Sequence, residues 1–131
     1  MSTYLLDTHT LIWLARDPER VPARVRTILA DRNNTRLVSA VSAMEITLKY
    51  RLGKLPEGET FVRDWHGTMT KLMATETPLT PAQGFMAGAL DWDHKDPFDR
   101  MLVATAIDLG APFVSGDTMM PTAPGLDSLW R

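Results

Sequence analysis

Acidic residues stand at four places where a strand is predicted to end or a helix to begin. Asp7 follows the apolar run 3–6, and Glu45 comes shortly after the second predicted strand. Asp99 lies in the first turn of a predicted helix, and Asp117 follows the last apolar run. Carboxylates packed together raise one another's pKa values, and a divalent cation removes that repulsion. Oxygen ligands favour Mg²⁺ or Mn²⁺, ions that activate water for phosphodiester hydrolysis.

Each acid also has an explanation that involves no chemistry. Ser42 and Glu45 have the Ser-x-x-Glu spacing of a capping box at a helix start. Asp99 can interact with the helix dipole, and Asp117 can be an ordinary loop residue. Asp7 is the hardest to explain in this way, because an acid directly after a buried strand is costly unless it is exposed or paired.

The clearest local signal is the run from His94 to Ile107. Asp96 is predicted to cap a helix that Pro97 opens and that Gly110 ends. His94 is interpreted as hydrogen-bonding the loop before Asp96 rather than as a metal ligand. This segment is therefore predicted to direct its acids toward one end of a helix.

Short apolar runs alternate with helical patterns along the chain, as in a parallel sheet with right-handed crossovers. We predict an α/β fold of three layers, α/β/α, around a central, mainly parallel sheet of four to five strands. In such a sheet, functional groups gather beyond the carboxyl ends of the strands, where the strand order reverses. The strands are predicted at 3–6, 36–39, 75–79 and 111–114, with a short edge strand within 126–130. The helices are predicted at 8–15, 22–30, 42–51, 61–73, 81–91 and 97–109.

Composition indicates an ordinary globular chain. The 131 residues are predicted to form a single domain, 1–131, with 44% hydrophobic and 23% charged residues and no cysteine. The lack of cysteine excludes disulfides and thiolate metal sites. With no long apolar run and no signal peptide at the start, a cytoplasmic protein without a membrane segment is expected.

Charge is distributed unevenly although the net charge is only −2. Residues 1–60 hold nine Lys and Arg against seven Asp and Glu, and residues 61–131 hold five against nine. Six arginines lie between Arg16 and Arg36. They form either a patch that faces phosphates or a solvated helix face, and the sequence leaves both interpretations open.

Three segments resemble PIN-domain ribonucleases, and more closely the VapC toxins of type II toxin–antitoxin pairs. They are Leu6-Asp7-Thr8-His9 with Trp13, Glu45-Ile46-Thr47-Leu48-Lys49 through Leu52-Gly53-Lys54-Leu55, and His94-Lys95-Asp96-Pro97-Phe98-Asp99-Arg100 through Ala104 and Ala106. The resemblance covers nearly the whole chain and implies a PIN-like fold. Two positions depart from the family pattern: Met44 stands where tryptophan is frequent, and Ser115-Gly116-Asp117 stands where Thr-x-Asp is frequent.

The resemblance implies a toxic, metal-dependent endoribonuclease, a hydrolase with Mg²⁺ or Mn²⁺ as cofactor. Asp7 and Asp99 would be the main metal ligands, and Glu45 and Asp117 would complete the site directly or through water. The supporting residues implied are Asp96, Thr8 and Ser115. Asp117 is thus included among the metal ligands, and all four acids are the implied catalytic residues.

The resemblance also implies partners. They are an RNA substrate (often tRNA in this family), a second copy of the chain in a homodimer, and a cognate VapB-type antitoxin whose C-terminal segment fills a groove. Several apolar residues either line that groove or belong to the core: Met69, Leu72, Met73, Phe85 and Met86.

Two other functions stay open at this stage. Phosphotransfer through an aspartyl-phosphate also places an aspartate after the first strand. The phosphatase form of that chemistry has a second aspartate two residues later, where this chain has His9, a residue predicted to lie near solvent. The other alternative is a PIN-like domain without catalytic activity that serves as a binding or regulatory module.

Overall fold

A single sheet of five parallel strands lies at the centre of the computed structural model, which describes residues 1–130. The strand order is β3-β2-β1-β4-β5, and every neighbouring pair is parallel. The strands are β1 (Thr3–Leu6), β2 (Thr35–Ser39), β3 (Ala74–Thr77), β4 (Phe113–Val114) and β5 (Ser128–Leu129). The predicted α/β fold with a parallel sheet of four to five strands is confirmed.

Seven α-helices connect the strands within residues 1–130. They are α1 (Thr8–Arg16), α2 (Ala23–Ala30), α3 (Ala40–Arg51), α4 (Glu59–Arg63), α5 (Trp65–Lys71), α6 (Pro81–Ala89) and α7 (Pro97–Leu109). Single 3₁₀ turns lie at Pro18–Arg20, Pro56–Gly58 and Met120–Thr122. None of the helices in this described part of the chain is long and apolar enough to cross a bilayer.

The central strand β1 is buried between two apolar clusters. Leu6 packs with side chains of α1, α2, α4 and α5 on one face of the sheet. Leu5 packs with Phe113 and with Leu102 and Val103 of α7 on the other face. Because both faces are covered at the carboxyl end of β1, the successive residues Leu5 and Leu6 are both buried instead of alternating with polar ones.

The capping residues predicted for helix α7 are confirmed. The Asp96 side chain accepts hydrogen bonds from the backbone N–H groups of Phe98 and Asp99, and Pro97 occupies the first helical position. Gly110 ends the helix at φ 64°, a left-handed conformation that glycine adopts without a Cβ penalty. The capping carboxylate therefore sits beside Asp99 at the same end of the helix.

Two helix predictions were wrong at their boundaries. Helix α3 begins at Ala40 rather than at residue 42, because the Ser39 side chain accepts the N-terminal hydrogen bond from Val41. The capping box proposed for Glu45 is therefore absent, and Glu45 lies in the second turn. The helix predicted over 61–73 is two helices, α4 and α5, because Asp64 interrupts it and caps α5 by accepting from the Gly67 N–H.

The strand order reverses next to β1. The chain passes from β1 outward to β2 and β3 on one side, then returns to place β4 and β5 on the other side. The carboxyl ends of β1 and β4 therefore border a crevice of the kind in which open parallel sheets bind ligands.

Candidate functional site

A cavity of about 490 Å³ opens at the carboxyl ends of β1 and β4. All four acids singled out in the sequence line it, although they are spread from residue 7 to residue 117. The complete lining is Asp7, His9, Trp13, Glu45, Lys49, His94, Asp96, Asp99, Gly116 and Asp117. We call this space the acidic cavity.

Asp7 is one of the two buried acids of this cavity. It follows β1 and caps α1, with its Oδ1 accepting from the Thr8 N–H at 2.7 Å and its Oδ2 from the Ser115 hydroxyl at 2.6 Å. Burial raises the pKa of Asp7 to about 6; the Ser115 hydrogen bond acts against that rise, and the charge of Asp99 adds to it. Asp7 thus carries a negative charge at neutral pH that the protein compensates only in part.

Glu45 combines a buried position with one unpartnered oxygen. It is 3% exposed, and its Oε2 accepts a hydrogen bond from the Lys49 ammonium one helical turn later. Its Oε1 has no hydrogen-bond partner among the described residues. A buried oxygen of this kind is costly to leave unpaired, so it is a natural acceptor for a ligand.

Asp99 projects from the first turn of α7 and is paired with His94. Its Oδ2 lies 2.6 Å from Nε2 of His94. Burial raises the pKa of Asp99; the His94 hydrogen bond acts against this, and the charges of Asp96 and Glu45 add to it. The predicted hydrogen bond from His94 to the loop before Asp96 was wrong for the side chain. The His94 ring contacts the Asp99 carboxylate instead.

The other predicted site residues lie at different places around the acidic cavity. Asp117 is exposed at the mouth of the cavity, where its Oδ1 accepts from the Met119 N–H at 2.9 Å. Its own N–H donates to the Ser115 hydroxyl, so Ser115 connects Asp117 with Asp7. The Thr8 hydroxyl instead bonds to Ser42 at 2.9 Å and joins α1 to α3 outside the cavity lining.

The donor set fits a hard cation by its chemistry. Five carboxylates face one space, one Glu45 oxygen is unpartnered, and the pKa values of Asp7 and Asp99 are raised. Within residues 1–130, however, no three Asp, Glu or His side chains are arranged to hold a metal ion. The carboxylates are instead engaged by protein donors, among them Lys49 and His94.

Lys49 lines the acidic cavity, although it was not predicted to be a site residue. Burial lowers its pKa, but the hydrogen bond and charge of Glu45 more than offset that effect, and the pKa of Lys49 is raised overall. The i, i+4 spacing of Glu45 and Lys49 on one helix was a signal for this pair.

The apolar residues left open as groove or core have different positions. Met69 belongs to the buried core, whereas Met73 is 55% exposed. Leu72 lines a separate cavity between α1 and the α4–α5 pair, and Phe85 is 83% exposed on α6. They do not share one environment.

Replacing Ser115 by alanine is expected to raise the pKa of Asp7 further. The variant removes the hydrogen bond that lowers this pKa and leaves Oδ2 of a buried carboxylate without a donor. We expect a loss of about 1–3 kcal/mol in the free energy of unfolding at neutral pH. Carboxyl-carbon NMR titration of Asp7 measures the shift, and Ser128→Ala at an exposed site is the matched control. An unchanged or lowered pKa would contradict this account.

A family model described as "PIN domain" matches residues 4–126. The chain belongs to the PIN-domain family. The family resemblance drawn from its sequence motifs is therefore confirmed.

Several solved structures share the fold of this chain at low sequence identity. The structure of VapBC2 from Rickettsia felis bound to a DNA fragment from their promoter has a TM-score of 0.73, at 18% identity over 98% of this chain and 99% of that chain. The DNA-bound VapBC of Salmonella typhimurium has a TM-score of 0.70, at 16% identity over 98% of each chain. A domain of a functionally unknown protein from Methanocaldococcus jannaschii has a TM-score of 0.62, at 15% identity over 100% of this chain and 91% of that one. No curated protein matches in sequence.

Proposed function

We propose that this PIN domain is a metal-dependent endoribonuclease and the toxin of a VapBC-type toxin–antitoxin pair. The observation that carries the proposal is the meeting of Asp7, Glu45, Asp99 and Asp117 in one cavity at the switch point of the sheet. Four elements far apart in the sequence supply these carboxylates. Such a concentration of negative charge favours a site that recruits cations.

In the proposed site, Asp7 and Asp99 hold Mg²⁺ or Mn²⁺, and Asp117 and Glu45 complete the site directly or through water. When bound, the ion supplies Lewis acidity and an activated water for hydrolysis of an RNA phosphodiester. The proposed role of Glu45 is to accept a hydrogen bond from the attacking water, and its unpartnered Oε1 supports that role.

The supporting residues hold the acids in position. Ser115 fixes Oδ2 of Asp7 and the backbone of Asp117. Asp96 caps α7 and thereby keeps Asp99 at the cavity. Thr8 acts through its backbone N–H on Asp7, and its hydroxyl secures α1 against α3.

The proposed partners are RNA, a VapB-type antitoxin and a second copy of the chain. Two of the similar solved structures are described as VapBC complexes, which supports the antitoxin. The homodimer is supported by an exposed apolar face of α6, where Phe85 lies beside Pro81, Gly84 and Gly88. We place the activity in the cytoplasm and include tRNA among the proposed substrates.

Asp99→Asn tests the nuclease directly. Loss of a metal-binding charge is expected to reduce RNA cleavage by more than roughly a hundredfold, beyond the loss typical of residues that only support a ligand. The measurement maps cleavage ends in total RNA incubated with the purified chain and Mg²⁺. Asp93→Asn, at an exposed position in the preceding loop, is the matched control. Equal cleavage by the Asp99 variant and its control would refute the assignment.

The alternative of a non-catalytic binding module has one observation in its favour, the absence of a preformed metal-binding arrangement within residues 1–130. Calorimetric titration with Mn²⁺ separates the two functions. Binding that Asp99→Asn removes supports the nuclease, and no binding at millimolar Mn²⁺ supports the module. The aspartyl-phosphate alternative has less support, because both Asp7 oxygens already accept hydrogen bonds from the protein.

A further inference from the structure

A second groove lies directly beside the acidic cavity. It has a volume of about 460 Å³ and shares His9 and Trp13 with that cavity. Its cations are Arg16 and Arg20, from α1 and the turn after it, and Lys54. We call this space the basic groove. The two shared side chains on α1 form the border between it and the acidic cavity.

The charges of the two spaces are opposite. The acidic cavity has five carboxylates and one lysine, whereas the basic groove has three cations against Asp17 and Glu57. A nucleic-acid backbone is repelled by the first and attracted by the second. A strand whose phosphate enters the acidic cavity therefore gains most from cations immediately outside it.

Flat side chains extend along the border between the two spaces. The rings of His9 and Trp13 are 5.9 Å apart, and the Arg20 guanidinium lies 4.5 Å from the centre of the Trp13 ring. His9 is exposed. Aromatic rings and guanidinium planes are the surfaces on which proteins stack unpaired bases.

We propose that the basic groove binds the single-stranded nucleotides next to the cleaved phosphate, an inference that rests on the proposed nuclease function. One base stacks on the exposed His9 ring beside the Arg20–Trp13 pair, and neighbouring phosphates pair with Arg20 and Lys54. The arginine-rich segment then has two roles. Arg16 and Arg20 face the groove, whereas Arg26 donates to the Val21 carbonyl and is not in its lining.

The first test measures binding of a fluorescent oligouridylate of about ten nucleotides. All variants are made in the Asp99→Asn chain, so that cleavage does not interfere. Arg20→Gln and Lys54→Gln are each expected to weaken binding severalfold and to reduce the slope of log affinity against log salt by about one. Arg32→Gln, at an exposed position in the turn after α2, is the control and is expected to bind normally. Unchanged binding by both groove variants overturns the inference.

The second test separates stacking from charge at His9. His9→Ala is expected to weaken oligouridylate binding by roughly tenfold, and His9→Phe is expected to restore it, because phenylalanine keeps the ring without the imidazole nitrogens. Both variants change an exposed side chain and leave the apolar core unaltered. Equal losses in the two variants contradict a stacking role.

Two further outcomes distinguish failure of the RNA-binding inference from failure of the proposed nuclease function. If the groove variants weaken binding of an antitoxin C-terminal peptide but not of the oligouridylate, the groove is a protein interface and the RNA inference is overturned. If the oligouridylate binds through the groove but the unsubstituted chain produces no cleavage ends, the groove binds single-stranded RNA as inferred, and the proposed nuclease function fails together with the placement next to a cleaved phosphate.

Discussion

Asp7→Asn is expected to make the fold more stable at neutral pH. In the folded protein the pKa of Asp7 is raised from 3.8 to about 6, so its carboxyl group binds a proton more tightly than in the unfolded chain. The stability from this group is fully present below pH 3.8 and is lost as the pH rises through about 6. At pH 7 the charged form therefore costs about 3 kcal/mol, which a neutral asparagine does not incur.

Thermal unfolding from pH 4 to pH 8 in a chelator measures this effect. The melting temperature of Asp7→Asn should exceed that of the unsubstituted chain by about 10 °C at pH 7. The difference should shrink to a small remainder near pH 4, where the Asp7 carboxyl group of the folded protein is protonated. Asp93→Asn, which alters an exposed carboxylate, should leave the curve unchanged. A variant less stable than the parent at pH 7 would contradict the assigned pKa.

The same variant should lose RNA cleavage by more than roughly a hundredfold, as expected for a proposed metal ligand. Added Mn²⁺ should then narrow the stability difference, because an ion that binds only the unsubstituted folded chain stabilises it by mass action. Greater stability together with lost activity would indicate that the burial of a charged carboxylate at position 7 serves function rather than folding.

Arg100→Met is expected to destabilise the protein by more than about 3 kcal/mol. The Arg100 guanidinium donates to backbone carbonyls of Ala87, Leu90, Trp92 and His94 at 2.7–3.0 Å. These bonds join the end of α6 and the following loop to α7. Methionine has a similar length but no donor, so several carbonyls lose their partners.

Urea-induced unfolding measures this loss, and Lys95→Met at an exposed neighbouring position is the control. Arg100→Lys should not restore stability, because a single ammonium cannot reproduce the planar fork of the guanidinium. NMR of the His94 ring should also show that the contact with Asp99 weakens when the loop is released. Wild-type stability in Arg100→Met would show that the loop is held by other contacts.

Elements with strong local signals were predictable from the sequence. Helix α7 has a capping aspartate, a proline and a terminal glycine within a short segment, and each acts locally. The start of α3 was not predictable in this way, because Ser39 and Ser42 are both plausible caps. The contact of Ser42 with Thr8 on another helix uses its hydroxyl, and Ser39 provides the cap.

The candidate site was likewise predictable from the sequence only in part. The convergence of the four acids followed from their predicted positions at strand ends and helix starts, together with the geometry of parallel sheets, although Glu45 lies one turn later in α3 than predicted. Most partners of those acids did not follow, because they depend on distances between side chains in space. The contact of His94 with Asp99 is of this kind, whereas the Lys49–Glu45 pair had a sequence signal in its i, i+4 spacing on α3.

The order of strands in the sheet has a consequence for synthesis on the ribosome. Ser115, which holds Asp7, comes 108 residues later in the chain. Strand β4, which borders the cavity, is the fourth to be made although it pairs directly with the first. A nascent chain therefore carries Asp7 and Glu45 without the surroundings that gather them until Ser115 has been made. Any activity of this cavity begins only after the chain up to Asp117 has emerged from the ribosome.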